Sequence, residues 1–340
     1  MVGRVSSVKK KRILSNKPLS HYIGNDPSEV ARTAKAMLKG NIPYEDVRSK
    51  FIGLEIEIEH CVGEYRQTLE EFPRVFIEHA DGSLRNGGVE FVSYPFNLEY
   101  TRSILDRFLT SLTKNEPGAK FTNRCSIHIH QDVTDLSCWQ FKCLFKLYLI
   151  FENAFYRYAG LHRKISNFCV PVADADFEDY FPSSVNTWGK QLESLPKLDD
   201  GKYSGLNLSR TREIGTVEWR HLPGTWDVGY IVNFITCIDS LKQFVLQQIN
   251  PDFIDNLIKT ANTVSNYMDI CTRIFGENNK NILFPEGDFE SIEEGVTTAK
   301  RLFFDRTDTY KPITFAKIIS TPTLIETISK VMEHSQERLI

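Results

Sequence analysis

The chain lacks the features that mark membrane proteins and disulfide-rich secreted proteins. No apolar run reaches the roughly eighteen residues of a membrane-spanning helix, and the N-terminus has no hydrophobic signal core. Seven cysteines among 340 residues form an odd set without the dense spacing of a disulfide framework. We therefore expect a cytoplasmic protein with reduced thiols and no membrane partner.

The chain also lacks a strong charge of either sign. Its formal net charge is -3 and its calculated pI is about 6.3, so no basic field across the protein favours nucleic acid. The exception is the basic run from Lys9 to Arg12. Two interpretations of this run stay open: contact with nucleic acid, an anionic surface or an import receptor, and a disordered, solvated arm, which is the commoner role of such runs. Nucleic acid is not an expected partner except through this run.

Common nucleotide and zinc motifs are missing as well. The sequence has no G-x-x-x-x-G-K-[ST] loop and no G-x-G-x-x-G turn after a strand. No cysteines lie near the motifs described below at zinc-finger spacing. A bound nucleotide would therefore have to be held by metal ions, arginines and a sheet.

Two segments with alternating polarity predict strands with one polar face. Residues 53–59 read Gly-Leu-Glu-Ile-Glu-Ile-Glu, and residues 123–132 read Asn-Arg-Cys-Ser-Ile-His-Ile-His-Gln-Asp. Because side chains alternate along a strand, one face of the first segment carries Glu55, Glu57 and Glu59, and one face of the second carries His128, His130 and Asp132. Three like charges on one face need water, cations or basic partners. Either segment alone also fits a solvated outer face of a sheet.

Two further segments offer the same kind of side chain. A short strand with Glu90 follows the turn signal Asp81-Gly82, and in residues 215–225 Glu218 and Arg220 share one strand face. Four such strands are better explained by one shared cavity than by four coincidences. Several carboxylates with two histidines suit Mg²⁺ or Mn²⁺ better than Zn²⁺. Paired divalent ions opposite an arginine are typical of sites that handle phosphates.

These motifs, in this order over roughly residues 50–240, resemble the amidoligases. That family belongs to the carboxylate-amine ligase superfamily, together with glutamine synthetase and γ-glutamylcysteine ligase. Residues 123–131 are also similar to the Asn-Gly-Ser-Gly-x-His-x-His strand of glutamine synthetase, although Arg124 and Cys125 replace its Gly-Ser. The resemblance implies an α+β fold in which a curved antiparallel sheet with packed helices forms the site wall, as in the glutamine synthetase catalytic domain.

The resemblance also implies roles for individual residues. The implied metal ligands are Glu55, Glu57, Glu90, His128 and Glu218. Arg220 would face the transferred phosphate, His130 would lie beside the substrate or nucleotide, and Glu59 extends the acidic row in a catalytic role that stays open. The implied cofactor-binding residues are Asn207, Arg210 and Arg212, for which a polar loop with solvated charges is the alternative.

The implied chemistry is ATP-dependent amide bond formation with Mg²⁺ (or Mn²⁺). ATP would phosphorylate a carboxylate, and an amine would attack the acyl phosphate; the carboxylate and amine substrates could be small molecules, peptides or proteins. An acidic residue or His130 would accept the amine proton. Three alternatives stay open: a metal-dependent hydrolase, a cupin-type oxygenase, and a non-catalytic structural component such as a phage-particle protein. The carboxylate spacing after His130 does not match the cupin pattern.

The periodicity of apolar residues divides the chain into three parts. We expect a basic arm and a helix in residues 1–48, a catalytic domain in residues 49–240 with an insertion at about 165–202, and a helical region in residues 241–340. The spacing predicts a helix in each of the ranges 27–38, 97–112, 135–159, 228–248, 251–275, 290–304 and 323–334. A loop is expected at residues 278–281.

Overall fold

The computed structural model describes residues 51–72, 75–93, 95–173, 203–211 and 215–304. Several predictions lie outside these ranges: the basic run from Lys9 to Arg12, the helices at 27–38 and 323–334, Arg212, and most of the insertion at 165–202. The predicted division into three parts therefore stays a prediction.

One antiparallel sheet organises the described residues. Its strands are β1 (Phe51–Ile58), β2 (Phe76–His79), β3 (Val89–Ser93), β4 (Phe96–Asn97), β5 (Ser126–Asp132), β6 (Leu206–Asn207) and β7 (Thr216–Pro223). The strand order is β2-β3-β1-β5-β7-β6, and β4 pairs with the start of β1. The mixed α+β class and the antiparallel sheet are thus confirmed.

The sheet is not strongly curled, which corrects the expectation of a curved wall. Strong curvature requires repeated bulges or kinks along the strands. The described pairings contain one register irregularity, between Ile127 and Ile129 on β5. The ends of the strand order, β2 and β6, remain separate edges.

The two faces of the sheet are set by the alternation seen in the sequence. On β1, Leu54, Ile56 and Ile58 are all at most 1% exposed and belong to the hydrophobic core. On β5, Ile127 and Ile129 are fully buried on the same side. The predicted apolar faces are therefore confirmed, and the acidic and imidazole side chains are left on the opposite face.

Helices cover the apolar face. In chain order they are α1 (Tyr65–Glu71), α2 (Thr101–Asn115), α3 (Cys138–Ala159), α4 (Val228–Leu246), α5 (Pro251–Thr260), α6 (Val264–Leu283) and α7 (Phe289–Phe304), with 3-10 turns at Leu98–Tyr100 and Leu161–Ile165. Phe108 of α2 stacks on Phe76 of β2, with ring centroids 3.8 Å apart. Tyr148 of α3 packs edge-on against Trp219 of β7. These aromatic contacts attach the two layers.

The central helix α3 begins and ends where the sequence signals place it. Ser137 and Gln140 form a capping box, in which each side chain bonds the other residue's backbone N–H. The helix ends at Gly160, whose φ of 99° lies in the region that favours glycine. The predicted helices at 97–112, 135–159, 228–248 and 290–304 are confirmed in position, with shifted ends.

The helix predicted for residues 251–275 is wrong, because two helices occupy this region. Helix α5 ends at Thr260, and Thr263 then caps α6 by accepting a hydrogen bond from the Asn266 N–H. The loop predicted at 278–281 is also wrong, since these residues lie in α6 after a kink at Gly276. None of the helices in the described ranges is long and apolar enough to cross a membrane.

The side chain of Arg163 forms hydrogen bonds with the backbone of β7 where the short edge strand β6 ends. The Arg220 N–H donates to Gly205 O just beyond β6. The buried Arg163 then donates through Nε to His221 O, at 2.9 Å, and through its terminal nitrogen to Arg220 O, at 2.8 Å. The guanidinium thus satisfies two backbone carbonyls of β7 that lie beyond its pairing with β6.

Candidate metal centre and active site

A cavity of about 440 Å³ lies on the polar face of the sheet. Strands β1, β2, β3, β5 and β7 all contribute to it, together with the turn after β2. Its lining residues are Glu55, Glu57, His79, Ala80, Asp81, Gly82, Glu90, Val92, His128, His130, Arg210 and Arg220. The shared cavity that the four motifs predict is therefore present.

The strand register explains why these side chains meet. Glu57 on β1 is paired with Glu90 on β3, and Glu55 is paired with His128 on β5. On the next strand, Glu218 of β7 is paired with His130. Directly opposed residues of antiparallel strands share a face, with Cβ atoms about 5 Å apart. Register thus converts separate sequence motifs into one cluster.

The five predicted metal ligands form two triads that share one histidine. Glu55, His128 and Glu218 make the first triad, and Glu57, Glu90 and His128 make the second, with the ligand atoms of each triad within 4.8 Å of one another. In the first triad, His128 Nδ1 is 2.9 Å from Glu55 Oε2 and 3.4 Å from Glu218 Oε1. Carboxylate oxygens with one imidazole fit a hard divalent cation such as Mg²⁺ or Mn²⁺.

The electrostatics of the cluster also fit a cation. Burial, and next the charge of Glu55, raise the pKa of Glu90 to about 7. Burial alone would raise the pKa of Glu55, but hydrogen bonds with His128 and His130 hold it well below its usual value. Crowded, buried carboxylates repel one another, and a bound cation between them would relieve that repulsion.

The basic residues lie next to Glu218. Arg220 contacts the Glu218 carboxylate and donates through Nε to Phe168 O at 3.1 Å. Although burial opposes ionisation, Arg220 lowers the pKa of Glu218. Arg210 Nε is 3.7 Å from Glu218 Oε2, and Asn207 donates to the same oxygen at 2.7 Å. Arg210 and Arg220 line the cavity, whereas Asn207 is buried and is not among the lining residues. Arg212 is outside the described residues.

The other two predicted catalytic residues occupy different positions. His130 lines the cavity, but both ring nitrogens are engaged, Nε2 with Glu55 at 2.9 Å and Nδ1 with the Thr216 hydroxyl at 3.1 Å. Glu59 is 1% exposed and accepts hydrogen bonds from the Arg85 N–H and the Thr122 hydroxyl. Glu59 is not among the cavity-lining residues. Through these two hydrogen bonds, its carboxylate instead connects two loops beside the site.

Comparison with known families assigns the chain to a group. The family model described as putative amidoligase enzyme matches residues 60–242, more than half of the 340 residues. The chain belongs to this amidoligase family. Membership implies amide-bond ligase activity. A search of curated proteins gave no significant match.

The matched span covers only part of the candidate metal centre of this amidoligase. It contains Glu90, His128 and Glu218, whereas Glu55 and Glu57 precede its first residue. The family match therefore does not cover the two glutamates of β1. Their assignment to the site is based on the alternation of the sequence and on the register of the sheet.

Three residues of the amidoligase cavity region were not predicted as site residues from the sequence. His79 Nδ1 is 2.8 Å from Glu90 Oε2, Asp81 lines the cavity, and the Ser126 hydroxyl contacts both Glu57 and His128. Signals for two of them were available. Ser126 has the same strand parity as His128, and the Asp81-Gly82 turn places His79 opposite Glu90 once a hairpin is assumed.

Proposed function

We propose that this amidoligase is an ATP-dependent carboxylate-amine ligase that forms an amide bond through an acyl phosphate. The observation that carries the proposal is the convergence of the five predicted metal ligands into two triads: Glu55, Glu57, Glu90 and His128 line one cavity, and the buried Glu218 contacts Arg220, which also lines it. Acidic triads next to an arginine are suited to holding and transferring a phosphoryl group.

Two ion positions are assigned to the triads. Glu55, His128 and Glu218 would hold one Mg²⁺ or Mn²⁺, and Glu57 and Glu90 would hold the other. When bound, the ions would neutralise negative charge on the β- and γ-phosphates of ATP.

Arg220 is in place to stabilise the transferred phosphoryl group. Its guanidinium is fixed by Glu218 on one side and by the Phe168 carbonyl on the other, while it still lines the cavity. A donor that is positioned before the substrate binds needs no reorganisation during the reaction. Arg210, which is more exposed, would add a second positive charge to the nucleotide side of the cavity.

The amide-forming step needs a proton acceptor. The amine nitrogen would attack the carbonyl carbon of the acyl phosphate, the bond from that carbon to the phosphate oxygen would break, and the amine proton would pass to a carboxylate. Asp81 lines the cavity and belongs to neither triad, so it is the acidic residue we favour for this role. His130 fits better as a residue that orients Glu55, because both of its ring nitrogens are engaged.

The proposal is tested by ATP turnover with Mg²⁺ and mixtures of amines and carboxylates, with phosphate release and amide products both measured. We expect phosphate release that depends on both substrates and is abolished in Glu57→Gln. Glu78→Gln, which changes an exposed glutamate on β2, is the matched control and should keep the activity.

Two results would contradict the proposal. Cleavage of amides without ATP, by protein that retains Zn²⁺ through purification, would support the hydrolase. Absence of both activities over a wide range of substrates would support a structural component.

A further inference from the structure

The connection between β2 and β3, residues 80–88, brings Asp81 to the cavity. The Asp81 carboxylate accepts two hydrogen bonds from Ser83, one from the backbone N–H at 2.7 Å and one from the hydroxyl at 3.0 Å. The position of Asp81 therefore depends on what holds Ser83 in place. Connections at a protein surface move readily unless groups from another segment hold them.

A side chain from a distant part of the sequence binds Ser83. Arg124, which lies just before β5, donates to the Ser83 carbonyl oxygen through Nε at 3.2 Å and through a terminal nitrogen at 2.5 Å. Ser83 thus accepts from Arg124 and donates to Asp81. A guanidinium suits this contact because its donors have a fixed planar geometry.

Glu59 holds the same connection at a second point. Its buried carboxylate accepts from the Arg85 N–H at 2.6 Å through Oε1, and the same oxygen is 3.8 Å from Arg124 Nε. Its other oxygen accepts from the Thr122 hydroxyl at 2.8 Å, and the Arg124 N–H donates to the oxygen of that hydroxyl at 3.2 Å. The connection and the loop before β5 are therefore joined at two points.

The second half of the connection is fixed by backbone contacts with the residues after β1. Asn86 and Gly87 have positive φ angles of 54° and 71°. The His60 N–H donates to Asn86 O at 2.9 Å, and a Cβ atom on Gly87 would lie 2.5 Å from Cys61 O, so the close approach requires glycine. The first half, which carries Asp81, is held by the side-chain contacts described above.

We propose that Arg124 is a positioning residue that, with Glu59, holds Ser83 so that the Asp81 carboxylate is fixed where it accepts the proton of the attacking amine. The inference rests on the proposed function, which gives Asp81 that role. In this step the lone pair of the amine nitrogen forms the bond to the carbonyl carbon, the electron pair of the carbon–oxygen bond leaves with the phosphate, and one proton passes from the nitrogen to Asp81.

The first test needs no substrate. Hydrogen–deuterium exchange in residues 80–88 is measured by mass spectrometry in the wild type and in Arg124→Ala. The Arg124 side chain is 44% exposed, and exposed ion pairs contribute little to stability, so the variant should fold. We expect exchange in this segment to become about 3- to 10-fold faster, because the hydrogen bonds to Ser83 are lost.

Arg273→Ala is the matched control for this measurement. It changes another exposed arginine, one that packs over the ring of Phe253 in the C-terminal helices, and exchange in residues 80–88 should stay as in the wild type. Arg124→Lys keeps the charge and one donor, so its exchange should be intermediate. Equal exchange in Arg124→Ala and Arg273→Ala overturns the proposal.

The second test separates the two chemical steps. Phosphate and amide are both measured with ATP, Mg²⁺ and the mixtures of amines and carboxylates used to test the proposed function. In Arg124→Ala we expect amide formation to fall by about 10- to 100-fold and phosphate release to fall much less, because only the amine step needs the aligned Asp81. An equal fall of both products would show a general structural role and overturns the proposal.

A double variant tests whether Arg124 acts through Asp81. Asp81→Asn removes the proton acceptor and should also lower the amide formed for each phosphate released. Adding Arg124→Ala to Asp81→Asn should then lower this ratio no further, because two residues that act through one group are not additive. Additive effects overturn the proposal.

Failure of this inference can be told apart from failure of the proposed function. A wild-type protein without ATP-dependent amide formation contradicts the proposed function, and the exchange measurement still decides whether Arg124 holds the connection. Amide formation by the wild type, with an unchanged ratio of amide to phosphate in Arg124→Ala, contradicts the positioning role alone.

Discussion

His130 and His221 are buried histidines on adjacent strands, and they lie on opposite faces of one sheet. His130, on the cavity face, contacts Glu55, and although burial opposes protonation this hydrogen bond raises its pKa. His221 lies on the helical face among the rings of Tyr148, Phe155 and Trp219, and burial lowers its pKa to about 3. Both residues are buried, so the neighbours of each ring decide its charge.

The cavity face and the helical face of the sheet differ in the same way as these two histidines. The helical face is held by close aromatic packing, which favours the folded state whatever the ligand. The cavity face gathers carboxylates that repel one another, so its stability depends on what is bound there. We therefore expect substitutions on the helical face to change folding and substitutions on the cavity face to change ion binding.

The largest expected effect is on the helical face, at Phe108. This ring is fully buried and stacks on Phe76, so Phe108→Ala should lower the free energy of unfolding by about 3 to 5 kcal/mol through lost contacts and a cavity. Urea denaturation followed by circular dichroism measures it. Phe289→Ala changes a ring that is 69% exposed and should have almost no effect. Equal losses in the two variants would contradict the division between the faces.

A smaller effect is expected on the cavity face when an ion binds. Mn²⁺ at about 100 times its dissociation constant should raise the free energy of unfolding by about 2.7 kcal/mol, because it binds only the folded chain. Glu55→Gln removes one ligand charge from the first triad and should lower the rise, since the ion position at Glu57 and Glu90 remains, whereas Glu78→Gln should keep the full rise. Denaturation with and without Mn²⁺ measures the difference. If Mn²⁺ does not change the free energy of unfolding of the wild-type protein, the proposed metal centre is contradicted.

The smallest of the three effects is the pH dependence due to His221. Its pKa is lowered to about 3 in the folded protein, so below its ordinary value of 6.5 the unfolded chain binds the proton first. Stability is therefore lost as the pH falls from about 6.5 towards 3, by about 2 kcal/mol between pH 7 and pH 5. His221→Phe should lose less stability over this range than the wild type. Equal slopes of unfolding free energy against pH would show that His221 does not cause it.

The sequence was sufficient to predict which face each side chain of β1 and β5 occupies. Alternation with a period of two is local, and the buried Ile56 and Ile127 follow it directly. It did not predict which strands are neighbours. That Glu57 lies opposite Glu90 depends on the register between β1 and β3, which is set by contacts distant in sequence.

Glu59 and the C-terminal helices show two other limits of local patterns. The parity of β1 places Glu59 on the cavity face, but the strand ends at Ile58 and Glu59 contacts Thr122 instead. The spacing of apolar residues continues across the break between α5 and α6, so periodicity alone predicts one helix where the structure has two. The cap at Thr263 was the signal that separates the two.

The guanidinium of Arg163 has a consequence for how the protein behaves in a crowded solution. An open sheet edge with unpaired carbonyls is a template on which another polypeptide can add a strand. Beside the candidate site, Arg163 already occupies the carbonyls of Arg220 and His221. A foreign strand would have to displace a buried side chain to pair there, so we expect this part of the sheet edge to resist the addition of a strand from another molecule.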